Sequence, residues 1–159
     1  MIFITLGSQK FQFNRLLIAV DKLIETGIIK EKIFAQTGYS DYPPVNYEYK
    51  AFIDRSEYAQ WEAKADLIIT HGGTGAIVGA VKNGKKVIAV PRRVEYGEHV
   101  DNHQFQIVGQ FRDLDLICEC DDCDKLEEAI NYAKSKNFKS YRSNTQAVIS
   151  EIEKYIENI

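Results

Sequence analysis

Short runs of strand-forming residues alternate along the chain with stretches in which apolar residues recur at helical spacing. Strands are predicted over Met1–Leu6, Lys32–Thr37, Tyr47–Phe52, Asp66–Thr70, Lys86–Val90 and Asp115–Cys118. Helices are predicted over Phe13–Glu25, Ser56–Ala63, Ala76–Asn83, Val100–Phe111, Cys123–Lys134 and about Asn144–Glu157. The first is typical: Leu16, Leu17, Val20, Leu23 and Ile24 form one stripe, and Gly27 is placed to stop it. Ser56 is the expected N-cap of the second. Tyr42-Pro43-Pro44 must be a loop, because consecutive prolines stop both helix and ladder.

Most of the predicted strands are continuously apolar rather than alternating in polarity. A strand of that kind is buried on both faces, as in a parallel sheet covered by helices on each side. The expected architecture is therefore α/β, a doubly wound, mostly parallel, Rossmann-like sheet. At 159 residues, with no internal repeat, linker or low-complexity stretch, the expectation is one domain over 1–159. The 144–157 helix carries an apolar stripe that suits packing on its own sheet or docking to another chain.

Composition narrows the function classes. Hydrophobic residues make up 45% and charged residues 27%, which is ordinary globular usage. The net charge of −3 argues against a general nucleic-acid binder. No apolar run approaches the roughly 20 residues of a membrane span, and Met1–Leu6 lacks a basic leader, so a cytoplasmic location is expected. The odd set Cys118, Cys120 and Cys123 argues against a disulfide framework, and a structural zinc site would want a second cluster. Buried, unreactive thiols are the expectation. His99 and His103 stand four apart but have no evident third ligand, so no metal is assigned.

In an open parallel sheet, ligands bind beyond the carboxyl ends of the strands. The distinctive residues of the chain gather there. Gly7, Ser8 and Gln9 follow the first strand, and Ile53 follows the third. His71-Gly72-Gly73-Thr74-Gly75 and then Ala76 follow the fourth. Glycines let backbone N–H groups approach a ligand, and the head of a helix offers free donors with positive dipole character. A phosphate or diphosphate suits that combination, although a ligand-free tight turn would look the same. Neither the full dinucleotide fingerprint nor the lysine-bearing phosphate loop is present, which argues against NAD and ATP chemistry. After the fifth strand come Arg92, Arg93, Glu98, His99, Asp101, Asn102, His103 and Gln104. Such carboxylates, amides and arginines can serve sugar hydroxyls and phosphate, or a solvated loop and a helix cap.

Taken in order, Thr5-Leu-Gly-Ser-Gln9, Gln36-Thr-Gly38, Phe52-Ile-Asp54, Ala65–Gly75, Gly84–Pro91 and Glu98-His-Val-Asp-Asn-His-Gln104 resemble a known pattern. The pattern is that of the C-terminal, nucleotide-sugar-binding half of GT-B glycosyltransferases. Within it, the chain resembles the family of the peptidoglycan lipid-intermediate and dolichol-pathway N-acetylglucosamine transferases, and most of all the small PssE-type subunits of capsule and exopolysaccharide synthesis. The likeness covers about residues 1–111.

That resemblance implies a donor site. Ser8 would lie near the diphosphate, the Ile53 backbone would hold uracil, and Gly73–Ala76 would face the diphosphate. His103 and Gln104 would contact the donor sugar. The family often places an acidic residue at the position of Gly79 to hold the ribose, so here either another carboxylate such as Glu98 takes that role or nucleoside affinity is weak. The resemblance further implies a two-chain, inverting transferase. A membrane-anchored chain like the missing N-terminal half would supply the general base and the lipid-linked acceptor, and would recruit this chain to the inner face of the membrane. The nucleotide sugar would be substrate, with no cofactor and no metal required. A non-catalytic nucleotide-sugar-binding module and a free-standing UDP-sugar hydrolase are the alternatives.

Overall fold

The structure is a computed structural model and describes residues 1–143. The predicted 144–157 helix lies outside the described residues. The strands are β1 (Ile2–Thr5), β2 (Ile33–Gln36), β3 (Glu48–Lys50), β4 (Leu67–His71), β5 (Lys86–Val90) and β6 (Cys118–Glu119). The helices are α1 (Asn14–Glu25), α2 (Arg55–Lys64), α3 (Thr74–Lys82), α4 (His103–Asp113) and α5 (Leu126–Ser135). Short 3-10 turns occupy Val94–Tyr96 and Cys123–Lys125.

All six strands pair in parallel, in the order β3-β2-β1-β4-β5-β6. The expected doubly wound fold is therefore present. Side chains leave a strand on alternate faces, so each buried strand feeds two cores. Ile2, Ile4 and Leu6 pack with Leu16, Leu17 and Val20 of α1 and with Leu126, Ile130 and Ala133 of α5. Phe3, Phe34, Ile68 and Val87 pack on the other face with Ile77 and Val81 of α3 and Val108 of α4. The Trp61 ring of α2 stacks on Phe34, centroids 4.0 Å apart and 7° from parallel.

Several boundaries differ from the sequence expectation, each for a local reason. α2 is capped by Asp54, whose carboxylate accepts the Glu57 N–H at 2.8 Å, so Ser56 is already inside the helix. α3 starts at Thr74, two residues early, with Gly73 as its extended cap residue. α4 starts at His103 rather than Val100. The Asn102 amide oxygen accepts the Val94 N–H, and the Asp101 carboxylate accepts the His103 N–H, which holds residues 100–102 out of the helix. His71 belongs to β4, not to the turn after it.

The chain runs outward from β1 to β3, then crosses back to place β4 on the other side of β1. That reversal is the switch point of the sheet, where the loops diverge and leave a crevice. The turn after β1 and the turn after β4 form its two walls. No helix among the described residues is long and apolar enough to cross a membrane.

Candidate functional site

The crevice is built around one side chain, the imidazole of His71. A methyl group placed on Gly7 would meet His71 Cε1 at 2.8 Å, and one on Gly73 would meet Nε2 at 2.3 Å. The ring therefore spaces the two glycine turns and leaves no room for a side chain on either. Gly7 also has φ +71, which favours glycine for a second reason. The Thr70 hydroxyl donates to the Thr5 carbonyl at 2.8 Å, so towards His71 Nδ1, 3.4 Å away, it can only accept. The imidazole is thus protonated at Nδ1. Burial, reinforced by the nearby positive charge of Arg92, pushes its pKa down to about 4, so the ring is neutral at physiological pH.

Above His71, α3 opens towards solvent. Its cap residue is Gly73, which has no side chain to satisfy the first N–H groups. Thr74 and Gly75 are exposed and Ala76 is half-buried. The amide groups at the head of α3 therefore stand free for an acceptor, with the helix dipole behind them. Ser8 and Gln9 are exposed on the opposite wall. Ile53 lies beyond the end of β3, between its last residue and the cap of α2, and packs against the second core. Exposed Phe52 beside it meets the Tyr39 ring edge-on at 5.1 Å, an aromatic pair the sequence reading did not single out. Its signal was the placement of Gly38-Tyr39 and Phe52-Ile53 after neighbouring strands.

The segment after β5 divides into an inner and an outer set. Three residues expected to face ligand are turned inward. Glu98 is 0% exposed, and its carboxylate is bridged by Arg15 of α1, with Nε and Nη2 each 3.0 Å from one oxygen. It also accepts the Arg93 N–H at 2.9 Å. Glu98 is thereby taken out of the ribose role expected for it. The atom closest to a side chain placed at Gly79 is Glu62 Oε1, at 3.9 Å, and Glu62 already accepts from Asn83. Gln104 is buried as well. Its amide oxygen accepts the N–H groups of Gly72 at 3.2 Å and Arg92 at 3.0 Å, so it clamps the exits of β4 and β5 together.

Arg92 is 1% exposed and lies in the floor of the crevice. Its Nη2 donates to the Leu6 carbonyl at 2.8 Å, and the guanidinium sits 5.5 Å from the centre of the Phe13 ring. Nε and Nη1 have no hydrogen-bond partner. Burial lowers its pKa to about 10, so the cation persists at neutral pH. A buried cation with two unmet donors, behind the Gly7 turn, makes the crevice electropositive.

The outer set is His99, Asp101, Asn102 and His103. His99 lies before α4, yet the two rings still meet edge-on at 4.9 Å. Asp101 lies between them, with Oδ1 3.4 Å from His99 Nδ1 and in direct contact with His103 Nδ1. The sequence treats Asp101 as one more polar residue of the run. Its position as a possible third ligand shows only when residues 100–102 are seen to fold back. The thiols behave as expected: all three are free and buried, and burial raises Cys118 to about 11 and Cys120 and Cys123 to about 12.

Comparison with known proteins agrees with this fold. The profile of the glycosyltransferase family 28 C-terminal domain matches residues 1–159. Among solved structures, the glycosyltransferase of kitacinnamycin superposes with a TM-score of 0.60 at 19% identity, over 85% of this chain and 35% of that one. MurG of Acinetobacter baumannii superposes with a TM-score of 0.58 at 19% identity, over 84% of this chain and 41% of that one. The chain thus spans well under half the length of either. No curated protein matches the chain. The match over the whole chain and the shared fold place it: the chain belongs to the glycosyltransferase family 28 C-terminal domain.

Proposed function

We propose that this chain is the donor-binding half of a glycosyltransferase that takes its sugar from a UDP-sugar. The observation that carries this is the switch-point crevice. The uncapped head of α3, the glycine turn of β1 and the buried Arg92 cation converge there. Its donors suit a diphosphate: neutral backbone N–H groups for contact and a buried positive charge for the field.

In the reaction proposed, an acceptor hydroxyl attacks the anomeric carbon from the face opposite the diphosphate. The new glycosidic bond forms as the bond to the β-phosphate oxygen breaks, and configuration inverts. The leaving UDP gathers negative charge, which the α3 dipole and Arg92 stabilise without reorganising. A general base on a second, membrane-anchored chain takes the hydroxyl proton. That chain resembles the N-terminal half of such enzymes and brings the lipid-linked acceptor, as in capsule or exopolysaccharide synthesis. Galactose and N-acetylglucosamine are the sugars proposed. His103 and Asn102, exposed at the rim, are placed to meet the sugar.

Calorimetric titration with UDP, UDP-galactose and UDP-N-acetylglucosamine, with ADP as control, tests this reading. Saturable binding confined to the uridine compounds is expected, with no turnover by the chain alone. Equal affinity for ADP, or hydrolysis of the UDP-sugar by the isolated chain, would contradict it.

A further inference from the structure

The His99–Asp101–His103 cluster is, among the described residues, the only group of three such side chains whose ligand atoms could close on one ion. Those atoms lie within 4.8 Å of one another. Two features distinguish it from a chance gathering of polar residues. First, His99 is held in place. Its ring lies against Phe11, with centroids 5.1 Å apart, and it is only 9% exposed. Second, its two nitrogens face different partners. Nε2 is 3.2 Å from the Gln9 amide oxygen, which can only accept, so Nε2 carries the proton. Nδ1 then presents a lone pair, 3.4 Å from both the Asp101 backbone nitrogen and Asp101 Oδ1. Among the described residues, the only donor that meets this lone pair is the Asp101 N–H, at a long 3.4 Å, so a cation seated between Nδ1 and Oδ1 can take its place. Metal-ligating histidines are oriented in this manner, with the remaining N–H given to a carbonyl or carboxylate oxygen.

We infer that His99 Nδ1, Asp101 and His103 form a three-ligand site for a first-row divalent cation of the Zn²⁺ type. Two imidazoles and one carboxylate favour Zn²⁺, Co²⁺ or Ni²⁺ over Mg²⁺ and Ca²⁺, which want all-oxygen shells. Three protein ligands leave a coordination position open for water or an anionic oxygen. That position faces solvent, because Asp101 and His103 are both exposed. The buried thiols do not compete, since their pKa values of about 11 to 12 keep them protonated. Through Gln9, the site also ties the turn after β1 to the segment before α4. Nothing in this inference depends on the transferase reading, because it rests on the side chains alone.

The test is titration of the untagged, chelator-stripped chain with Zn²⁺ by calorimetry, and with Co²⁺ by visible absorption. One ion per chain is expected. Asp101→Asn and His103→Ala should each weaken Zn²⁺ binding by about tenfold or more while leaving the melting temperature of the metal-free chain in place. Gln9→Ala should weaken it by roughly tenfold without touching the ion, through loss of the orienting acceptor. Cys123→Ala should leave it unchanged. In the metal-free alternative His99 Nδ1 accepts only the Asp101 N–H and no ion is held. Absence of saturable binding would establish that alternative and overturn the site. Binding that survives both Asp101→Asn and His103→Ala would overturn it as well.

Discussion

The two polar turns at the carboxyl edge of the sheet are made on opposite principles. The turn after β4 presents backbone. His71, the last residue of β4, points inward beneath it as a spacer, and the glycines of the turn leave the amide groups of α3 open to solvent. The segment after β5 presents side chains, yet three of its polar members are absorbed by the fold. Glu98 is bridged to Arg15, Gln104 clamps two strand exits, and Arg92 acts from below. A polar residue beyond a strand end is therefore a ligand only if nothing inside the protein has already claimed it.

The comparison can be broken most forcibly at Glu98. Glu98→Ala strands Arg15 and should cost about 3 kcal/mol of stability, read as a lowered urea midpoint. A change under about 0.5 kcal/mol would mean that the pair is not structural and would return Glu98 to the ligand set. Next comes the spacer. Gly73→Ala must push against a buried ring rather than a mobile chain end, and should cost about 2 kcal/mol although φ is an ordinary −80.

The neutrality of His71 gives a pH test. Its folded pKa of about 4 is below the unfolded value, so the unfolded chain binds more protons between the two. The stabilisation from keeping it neutral is fully present above pH 6.5 and is lost as pH falls from 6.5 towards 4. The slope contributed reaches at most ~1.4 kcal/mol per pH unit. His71→Asn should flatten the denaturation midpoint over that window relative to the parent. An unchanged slope would mean that the ring is accessible to protons.

The smallest stability effect is expected at Gly75. A side chain at Gly75 meets nothing within 4 Å, so Gly75→Ala should leave stability unchanged or raise it by up to about 1 kcal/mol. The same methyl group stands where a ligand would approach the α3 amides. UDP affinity should therefore fall by roughly tenfold, the worth of one weakened charge-assisted hydrogen bond. Loss of stability and retention of UDP would reverse the assignment of the two glycines.

Much of the fold was legible in the sequence because it rests on local signals. Continuous apolar strands, helical stripes and stop glycines located every strand and helix of the described chain to within a few residues. The start of α4 slips from Val100 to His103, where hydrogen bonds accepted by Asp101 and Asn102 outweigh the periodicity, and β6 and α5 begin as far beyond their expected starts, at Cys118 and Leu126. The glycine turn was legible too, since only backbone chemistry is needed to read it. The fate of Glu98, Arg92 and Gln104 was not. The Arg15 that claims Glu98 is 83 residues upstream, on a helix position that reads as an exposed polar one. The role of His71 as a spacer depends on Gly7, 64 positions away in the chain, and shows only when β1 and β4 lie side by side.

The central claim is that a uridine diphosphate seats its phosphates on the head of α3 at the switch point. Amide chemical shifts of the isotope-labelled chain, followed during titration with UDP, test it most directly. The account predicts saturable shifts confined to Gly7–Gln9 and Gly73–Ala76, with smaller ones near Ile53, and silence at Cys118–Cys123. Shifts centred elsewhere, or identical shifts with ADP, would contradict it.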